Sequence, residues 1–298
     1  MSVRTVSRHR TPQHWTSPHG RPLPAPGART LIMGILNVTP DSFSDGGRYD
    51  TVEAAVEHSR RLVADGADVL DLGAESTRPG FAPVSEREEL ERLLPALKAV
   101  RAALPDTPIS VDTYKAAVAK SAVEAGADII NDVHGGRQGA WLKGLDSPMC
   151  RVAAQTGAPV ILMHNRENAD YSDFWSQFLG ELRESLAMAK QAGLAAHQVW
   201  VDPGFCFGKT PAHNLEVTRG LSRVVALGHP VLFAASNKST LGKVLGRENP
   251  NERHEGNIAA HLWAAQAGAA MVRVHEPAKI REYLKVTDAI RAGLGWAG

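Results

Sequence analysis

The segment that decides the fold is Leu31-Ile-Met-Gly-Ile-Leu-Asn37-Val-Thr-Pro-Asp41-Ser-Phe-Ser-Asp45-Gly-Gly47. Its first half is a short apolar run, which predicts a buried β-strand. The apolar pattern stops at Asn37 and gives way to a polar stretch punctuated by Gly and Pro, which predicts a loop. This loop concentrates one amide, two carboxylates and three hydroxyls just past a strand end. Parallel α/β folds keep their chemistry at such strand ends.

The same alternation of a short strand and a longer helix continues to the C-terminus. Strand-like runs occupy residues 31–37, 68–73, 108–112, 128–132, 159–163, 198–202, 230–235 and 271–274. Helical patterns occupy residues 52–65, 86–103, 116–125, 147–156, 173–192, 212–226, 254–267 and 277–292. Eight such units predict a single-domain (β/α)8 TIM barrel. An open doubly wound sheet shows the same alternation, but no Gly-rich dinucleotide fingerprint follows any of the strands.

The turns between helices and strands carry a recurrent signature. Gly-Ala-Asp occurs at residues 66–68 and 126–128, and the variants Gly-Ala-Pro and Gly-Ala-Ala occur at 157–159 and 268–270. Glycine suits the left-handed position that ends a helix. The signature therefore predicts short turns at the bottom face of the barrel.

The segment before the first predicted strand differs in composition from the rest of the chain. Residues 1–29 are basic, Pro-rich and free of acidic residues, which predicts a poorly ordered N-terminal extension, and the barrel is expected to occupy residues 30–298.

The formal net charge of +1 gives no electrostatic reason to expect nucleic acid or an anionic membrane as a partner. Cys150 and Cys206 form neither a metal-ligand spacing nor a disulfide framework, which favours the cytoplasm.

Hydrogen-bonding or charged side chains end nearly every predicted strand. Because a barrel interior is packed with apolar residues, polar groups gathered at one rim must be solvated, paired or bound to a ligand. Taken singly, Asn131 and Asp132 could cap a helix, and Arg273 and His275 could form a surface salt bridge. The full set is Asn37, residues 75–78, Asp112, Thr113, Asn131, Asp132, Met163, His164, Asn165, Asp202, residues 236–239, Arg273 and His275.

The types of these side chains indicate the ligand. A planar heterocycle with amide and amino edges would satisfy Asp112, Asn131, Asp202 and Lys238. The last loops of a barrel are a common phosphate site, and Arg273 and His275 lie there, two residues apart.

Two further features complete the predicted site. Asn37 offers a neutral oxygen that suits Mg²⁺, an ion that prefers few protein ligands and substrate phosphates. Phe205 and Phe207 follow the sixth predicted strand, where one or both could cover an aromatic substrate or simply pack against the barrel.

Several motifs in order resemble those of the dihydropteroate synthase family. The first is residues 37–47, quoted above, and the second is Glu75-Ser-Thr-Arg-Pro-Gly80. The others are Val111-Asp-Thr, Ile130-Asn-Asp-Val, Asp202-Pro-Gly-Phe with Phe207-Gly-Lys209, and Arg273-Val-His275. The resemblance extends from about Leu31 to the C-terminus.

The resemblance implies a transferase of folate biosynthesis with Mg²⁺ as cofactor. Such an enzyme joins 6-hydroxymethyl-7,8-dihydropterin diphosphate to 4-aminobenzoate and releases diphosphate and 7,8-dihydropteroate. By similarity, the pterin would be held by Asp112, Asn131, Met163, Asp202 and Lys238. Diphosphate would be held by Asn37, Thr77, Arg273 and His275, with Asn37 also a metal ligand. Aminobenzoate would be held by Thr77, Pro79, Phe207 and Ser239. The implied catalytic residues are Asp45, Arg78, Lys238, Arg273 and His275.

The chain departs from the family pattern at two positions. Asn237 stands where the family has an arginine, and Cys206 stands where glycine is common. An amide cannot replace a guanidinium in bidentate or stacking roles. This leaves open a non-catalytic pterin-binding protein, or a pterin-dependent methyltransferase, although the latter would not need the loops that carry Asp45 and Arg78.

The resemblance also suggests a homodimer through the later helices and inhibition by sulfonamides. Trp263 lies in the helical pattern of residues 254–267 and could contribute to the dimer contact. Packing in the core is an equally good explanation of this tryptophan.

Overall fold

Eight strands form one parallel sheet in the computed structural model, which describes residues 14–38, 48–75, 83–137 and 145–296. The strands are β1 Leu31–Asn37, β2 Val69–Gly73, β3 Ile109–Asp112, β4 Ile129–Asp132, β5 Val160–Met163, β6 Val199–Asp202, β7 Leu232–Phe233 and β8 Met271–Val274. All eight are short and apolar, as expected for strands that are covered on both faces.

The sheet closes into a barrel. Its hydrogen-bonded order is β6-β5-β4-β3-β2-β1-β8-β7, and a parallel bridge between Val201 and Val231 joins the two ends. Each strand therefore has a neighbour on both sides. The predicted TIM barrel is confirmed, and the open doubly wound sheet is excluded.

Helices surround the barrel. Within the described residues they are α1 Arg48–Ala64, α2 Glu86–Ala103, α3 Ala116–Glu124, α4 Pro148–Thr156, α5 Phe174–Gln191, α6 Pro211–Arg219, α7 Ser222–Val225, α8 Ser239–Leu245, α9 His254–Gln266 and α10 Ala278–Ala292. Ser85, Ser147 and Asp173 cap α2, α4 and α5 by accepting a backbone N–H with their side chains. In this part of the chain, no helix is both long and apolar enough to span a lipid bilayer.

One predicted helix and one predicted strand need correction. The helical pattern at residues 212–226 forms two helices, α6 and α7, because the first helix ends at Gly220, where the Trp175 ring occupies the space that a β-carbon would need. The strand predicted at residues 230–235 is only two residues long, and the prediction missed α8, which follows it. The turn signature is confirmed, since φ is positive at Gly66, Gly126, Gly157 and Gly268.

The described part of the N-terminal extension packs tightly on the bottom of the barrel. Trp15 is 2% exposed and stacks on Trp200 with ring centroids 4.2 Å apart. The buried carboxylate of Asp128 accepts hydrogen bonds from Ser17 at 2.5 Å and from Arg21 at 2.8 Å. The prediction of a poorly ordered extension is therefore wrong for residues 14–29, because one buried aromatic ring and one buried carboxylate hold this segment. Residues 1–13 lie outside the described part of the chain.

Candidate active site

The strand register aligns the predicted site residues along one rim of the barrel. Asn37 of β1 is opposite Gly73 of β2, which is opposite Asp112 of β3, which is opposite Asn131 of β4. These four residues form a continuous row at the carboxyl ends of adjacent strands. Asn131 is opposite Ile161 of β5, and the next two site residues, Met163 of β5 and Asp202 of β6, are paired two positions further along these strands.

A buried arginine crosses the top of the barrel to reach this row. Arg273 of β8 donates from Nε to Asp71 Oδ2 at 2.5 Å and from Nη2 to Asp112 Oδ2 at 2.8 Å. Asn131 donates to the same oxygen of Asp71 at 3.1 Å. The suggested surface salt bridge of Arg273 is excluded, because its side chain is only 16% exposed. Asn131 also does not cap a helix, since its amide joins this cluster.

Asp71 is a site residue that the sequence predictions missed. It is fully buried in β2, and its second oxygen has no hydrogen-bond partner among the described residues. The signal in the sequence was a carboxylate in the middle of the apolar run Val-Leu-Asp-Leu-Gly. Charged residues are almost never fully buried unless they are paired, so this aspartate required a partner.

Burial and neighbouring charges shift the pKa values of Asp112 and Arg273. Burial raises the pKa of Asp112 to about 7, against the lowering effect of Arg273. Burial alone would lower the pKa of Arg273, but Asp71 and Asp112 reverse this and raise it. The guanidinium thus stays charged, while Asp112 can exchange a proton near neutral pH. Perturbed carboxylates of this kind are typical of functional sites.

Lys238 and Asp202 form the opposite side of the rim. Lys238 Nζ donates to the carbonyl oxygen of Phe205 at 2.8 Å and lies 4.2 Å from the centre of the Phe207 ring. Burial lowers the pKa of Lys238 to about 8, although the charge of Asp202 opposes this. Burial raises the pKa of Asp202 to about 6, while a hydrogen bond of 2.6 Å from the Gly204 N–H lowers it. Arg273 also lowers the pKa of Asp202, and Asp202 raises the pKa of Arg273.

The two aromatic residues after β6 have different surroundings. Phe205 is 1% exposed and packs on Phe233, as the packing alternative proposed. Phe207 is half-buried beneath the ammonium group of Lys238 and faces the rim. Phe207 is therefore the ring available to a ligand.

Two further candidates, His275 and Ser239, follow β8 and β7 at the same end of the barrel. His275 Nδ1 lies 2.9 Å from Ser236 Oγ, and the backbone N–H of His275 donates to the same hydroxyl at 3.3 Å. Ser239 is exposed at the start of α8, and its hydroxyl lies 3.7 Å from the Cys206 sulfur. Asp132, by contrast, accepts from the backbone N–H groups of His134 and Gly136 and anchors its own loop.

Part of the predicted site lies outside the described residues. This applies to Asp45 in the first loop and to Thr77, Arg78 and Pro79 in the second. Their predicted roles stay predictions.

Asn37 and Asp112 lie close together at the rim, on either side of Gly73 in the strand register. A β-carbon at Gly73 would be in ordinary contact with both, 3.7 Å from Asn37 Oδ1 and 3.8 Å from Asp112 Oδ2. Among the described residues, no group of three or more His, Cys, Asp or Glu side chains could hold a metal ion on its own. An ion here would need most of its ligands from substrate and water. This is the usual coordination of Mg²⁺ at substrate phosphates, so the residues fit that ion.

Asn237 occupies a backbone position that suits asparagine. Its φ is +60°, a left-handed conformation that asparagine tolerates better than most residues. Its backbone N–H donates to Asn257 Oδ1 at 2.8 Å, and its own Oδ1 accepts from Asn257 Nδ2 at 2.6 Å. Arg253 donates to its carbonyl oxygen at 2.7 Å. Asn237 thus fixes the turn that carries Lys238 and Ser239.

We predict that Asn257→Ala loosens this turn. It removes both hydrogen bonds to Asn237, each worth about 0.5–1.5 kcal/mol. For the activity proposed below, the kcat/KM for the arylamine substrate should fall by roughly three- to tenfold. Steady-state kinetics can test this, with Asn251→Ala, an exposed asparagine, as the control. Equal kinetics in the two variants would contradict the prediction.

Comparison with known proteins gives the class of the molecule. Residues 33–275 match the family model described as pterin binding enzyme. A dihydropteroate synthase of Clostridium beijerinckii is 43% identical over 265 residues, which cover 89% of this chain and 95% of the relative. The crystal structure of a Clostridium difficile dihydropteroate synthase in the presence of pteroic acid has a TM-score of 0.84 and 42% identity, covering 89% of this chain and 98% of the other. A Xanthomonas albilineans dihydropteroate synthase with 4-aminobenzoic acid has a TM-score of 0.82 and 44% identity, with coverages of 89% and 94%.

The fold and the rim therefore define a pterin-binding TIM barrel. Within that class, the chain belongs to the dihydropteroate synthase family.

Proposed function

We propose that the chain condenses 6-hydroxymethyl-7,8-dihydropterin diphosphate with 4-aminobenzoate to give 7,8-dihydropteroate and diphosphate. The observation that carries this proposal is the single rim that joins Asp112, Asn131 and Arg273 on one side to Asp202 and Lys238 on the other. The similarity to dihydropteroate synthases over nearly their whole length supports it. The reaction is a transfer in folate biosynthesis.

The pterin fits the hydrogen-bonding groups of the rim. The carboxylates of Asp112 and Asp202 can accept from the N–H groups of the ring, and the amide of Asn131 can both donate and accept. Lys238 can donate to a ring nitrogen or oxygen while it stays above Phe207. Met163 is almost fully buried at the same level and supplies an apolar surface for the ring.

The bond that breaks joins the pterin methylene to the diphosphate oxygen. Negative charge develops on the leaving oxygen, and we assign Arg273 and His275 to stabilise it. The arylamine is already a free nucleophile, so no side chain needs to activate it as a base. We place it near Phe207, whose ring lies 4.2 Å from Lys238 Nζ, and near Ser239, the residue that follows Lys238 in the chain.

We propose Asn37 as the protein ligand of Mg²⁺, because its Oδ1 lies at the rim close to the carboxylate of Asp112. When bound, the ion would offset the charge of the diphosphate. Addition of a chelator should abolish turnover, and Mg²⁺ should restore it.

Three further properties belong to the proposal. We propose a homodimer through α9 and α10, because Trp263, Tyr283, Val286 and Ile290 are large apolar residues that are at least half exposed on these helices. The exposure of Trp263 rules out its packing in the core of one subunit. We also propose a cytoplasmic location and inhibition by sulfonamides that compete with 4-aminobenzoate.

Condensation activity is the decisive test. The purified chain should convert the two substrates with Mg²⁺ to equal amounts of dihydropteroate and diphosphate, and should release little diphosphate without aminobenzoate. Titration calorimetry with the pterin diphosphate should be run in parallel. Tight pterin binding without any turnover would instead indicate a non-catalytic pterin-binding protein.

The raised pKa values predict a pH dependence of pterin binding. Asp112 and Asp202, with pKa values of about 7 and about 6, become protonated as the pH falls through this range and then no longer accept from the pterin N–H groups. The kcat/KM for the pterin diphosphate reports the free enzyme and should fall below pH 7, approaching about tenfold per pH unit. In Asp112→Asn, the transition near pH 7 should disappear while the one near pH 6 stays. A flat profile between pH 5.5 and pH 8 would contradict the prediction.

A further inference from the structure

A buried lysine lies behind the candidate site. Lys209 follows the loop of residues 203–208, which links β6 to α6 and carries Phe207, and it is only 9% exposed. Its side chain turns back beneath this loop. Nζ donates to the carbonyl oxygens of Gly204 at 3.0 Å and Phe207 at 2.9 Å, and it lies 2.8 Å from His164 Nδ1. All three donors of the ammonium group therefore have acceptors.

The acceptors continue outward as a chain. His164 is 1% exposed, and its other ring nitrogen, Nε2, lies 2.9 Å from Glu181 Oε2 on α5. Burial lowers the pKa of His164 well below its usual value, and the nearby charge of Lys209 lowers it further, so the ring is neutral. Nε2 must then carry the proton and donate to Glu181, which leaves the lone pair of Nδ1 to accept from Lys209.

The loop itself needs such support. Gly204, Cys206 and Gly208 all have positive φ, between 55° and 72°. A β-carbon at Gly204 would overlap the carbonyl oxygen of His164, so the loop presses against the end of β5. Left-handed backbone is held only where surrounding structure determines it. Lys209 supplies this by binding two carbonyl oxygens of the loop at once.

We propose that Lys209, held by His164 and Glu181, is a positioning residue that sets the place of the Phe207 ring and so the affinity for 4-aminobenzoate. The proposal rests on the function proposed above. Asp202, on the pterin side, is held in β6 by its pairing with Met163 in the barrel sheet, and of its contacts named above only the hydrogen bond from the Gly204 N–H comes from the loop. Loss of Lys209 should therefore raise the KM for 4-aminobenzoate much more than the KM for the pterin diphosphate.

The burial of Lys209 agrees with this role. Desolvation lowers its pKa to about 7, and the charge of Asp202 opposes the decrease. An ammonium group taken out of water is costly unless its hydrogen bonds are made. The contacts with His164, Gly204 and Phe207 replace that water, while the Phe178 ring lies 5.3 Å from Nζ.

The test compares Lys209→Met with Lys190→Met, in which an exposed lysine of α5 is changed in the same way. In Lys209→Met we expect the KM for 4-aminobenzoate to rise about tenfold, the loss of roughly one buried hydrogen-bonded contact. The KM for the pterin diphosphate should change less than twofold and kcat less than threefold. A merely structural role would lower the unfolding temperature or the active fraction and leave both KM values unchanged.

A second pair of variants decides the matter if Lys209→Met does not fold. Glu181 is 24% exposed, so its replacement should be tolerated. Glu181→Ala frees the ring proton of His164 to move to Nδ1, where it repels Lys209, and should raise the aminobenzoate KM about threefold. Glu181→Gln can still accept from Nε2 and should give a smaller rise.

The possible results distinguish the role of Lys209 from the proposed function. An unchanged aminobenzoate KM in Lys209→Met, or in Glu181→Ala where the first variant does not fold, overturns the role of Lys209 and leaves the proposed function standing. Absence of condensation in the wild-type chain overturns both.

Discussion

Replacing Arg273 by alanine is expected to lower both activity and stability. The guanidinium is the only described partner of Asp112 and the main partner of the fully buried Asp71. Two carboxylates would be left inside the barrel rim without the guanidinium that pairs with both of them. Breaking a buried ion pair from one side costs about 3–5 kcal/mol in the free energy of unfolding. Urea denaturation at pH 7.5 measures this loss directly.

The kinetic effect of the same change should be of similar size. Arg273 is assigned to the diphosphate, and a lost charge-assisted contact there is worth about 3–4 kcal/mol at most, so kcat/KM for the pterin diphosphate should fall by about 10²- to 10³-fold. The control is Arg219→Ala, because Arg219 is 73% exposed and is paired with Glu216. An exposed pair of this kind contributes about 0–1 kcal/mol. If the two variants match in kcat/KM, Arg273 has no role in the site.

The stability loss in Arg273→Ala should also depend on pH. Without the guanidinium, only the smaller effect of the Lys238 charge opposes the burial that already raises the pKa of Asp112. A carboxyl group whose pKa is higher in the folded state binds its proton more tightly there, so the folded state loses stability as the pH rises above the pKa of the unfolded chain. The variant should therefore be closest to wild type near pH 5 and furthest from it near pH 8. The opposite trend would exclude Asp112 as the charge left unpaired.

The sequence predicted the row of site residues because a parallel sheet brings strand ends together automatically. Asn37, Asp112, Asn131 and Asp202 each end or nearly end an apolar run, so a barrel places them on one rim whatever the details of packing. The expected roles of these residues in binding the substrates came from the resemblance to the family. Neither source identified the side-chain partners that these residues have in the structure.

Those partners depend on long-range contacts that local patterns do not contain. Asp71 and Arg273 are 202 residues apart in the chain, and the pairing requires the contact of β1 with both β2 and β8. Lys209 reads in the sequence as one more polar residue of a loop. Only the fold shows that its side chain turns inward to His164. Asn237 looked like a damaged catalytic position, yet the structure gives it a partner in Asn257.

The N-terminal extension was misjudged for a related reason. The average composition of a Pro-rich, basic segment predicts disorder. It does not take into account that one aromatic side chain, Trp15, can be buried and hold the segment in place. Trp15 enters the bottom of the barrel beside Leu31, Met33 and Met271, which line the amino ends of their strands. Its indole N–H donates to the carbonyl oxygen of Pro24 at 2.9 Å, so the ring is buried without an unpaired polar group. The segment therefore closes the barrel at the end opposite to the active site.

Trp15→Ala should accordingly destabilise the fold and spare the chemistry. Loss of a buried tryptophan costs about 3–5 kcal/mol, because the cavity against Trp200 cannot collapse fully in a closed barrel. At about 2–4 °C per kcal/mol, the unfolding temperature should fall by roughly 6–20 °C. In the folded variant, kcat and both KM values at 20 °C should match the wild type, since the rim at the carboxyl ends of the strands is unchanged.

The matched control for Trp15→Ala is Trp296→Ala, because Trp296 is 63% exposed near the C-terminus. Surface substitutions of this kind change stability by only about 0.5 kcal/mol. Equal unfolding temperatures in the two variants would show that Trp15 does not stabilise the barrel. A changed KM in folded Trp15→Ala would show that the two ends of the barrel are coupled. The expected result, a large loss of stability with unchanged kinetics, separates the residues that hold this barrel together from those that act on substrate.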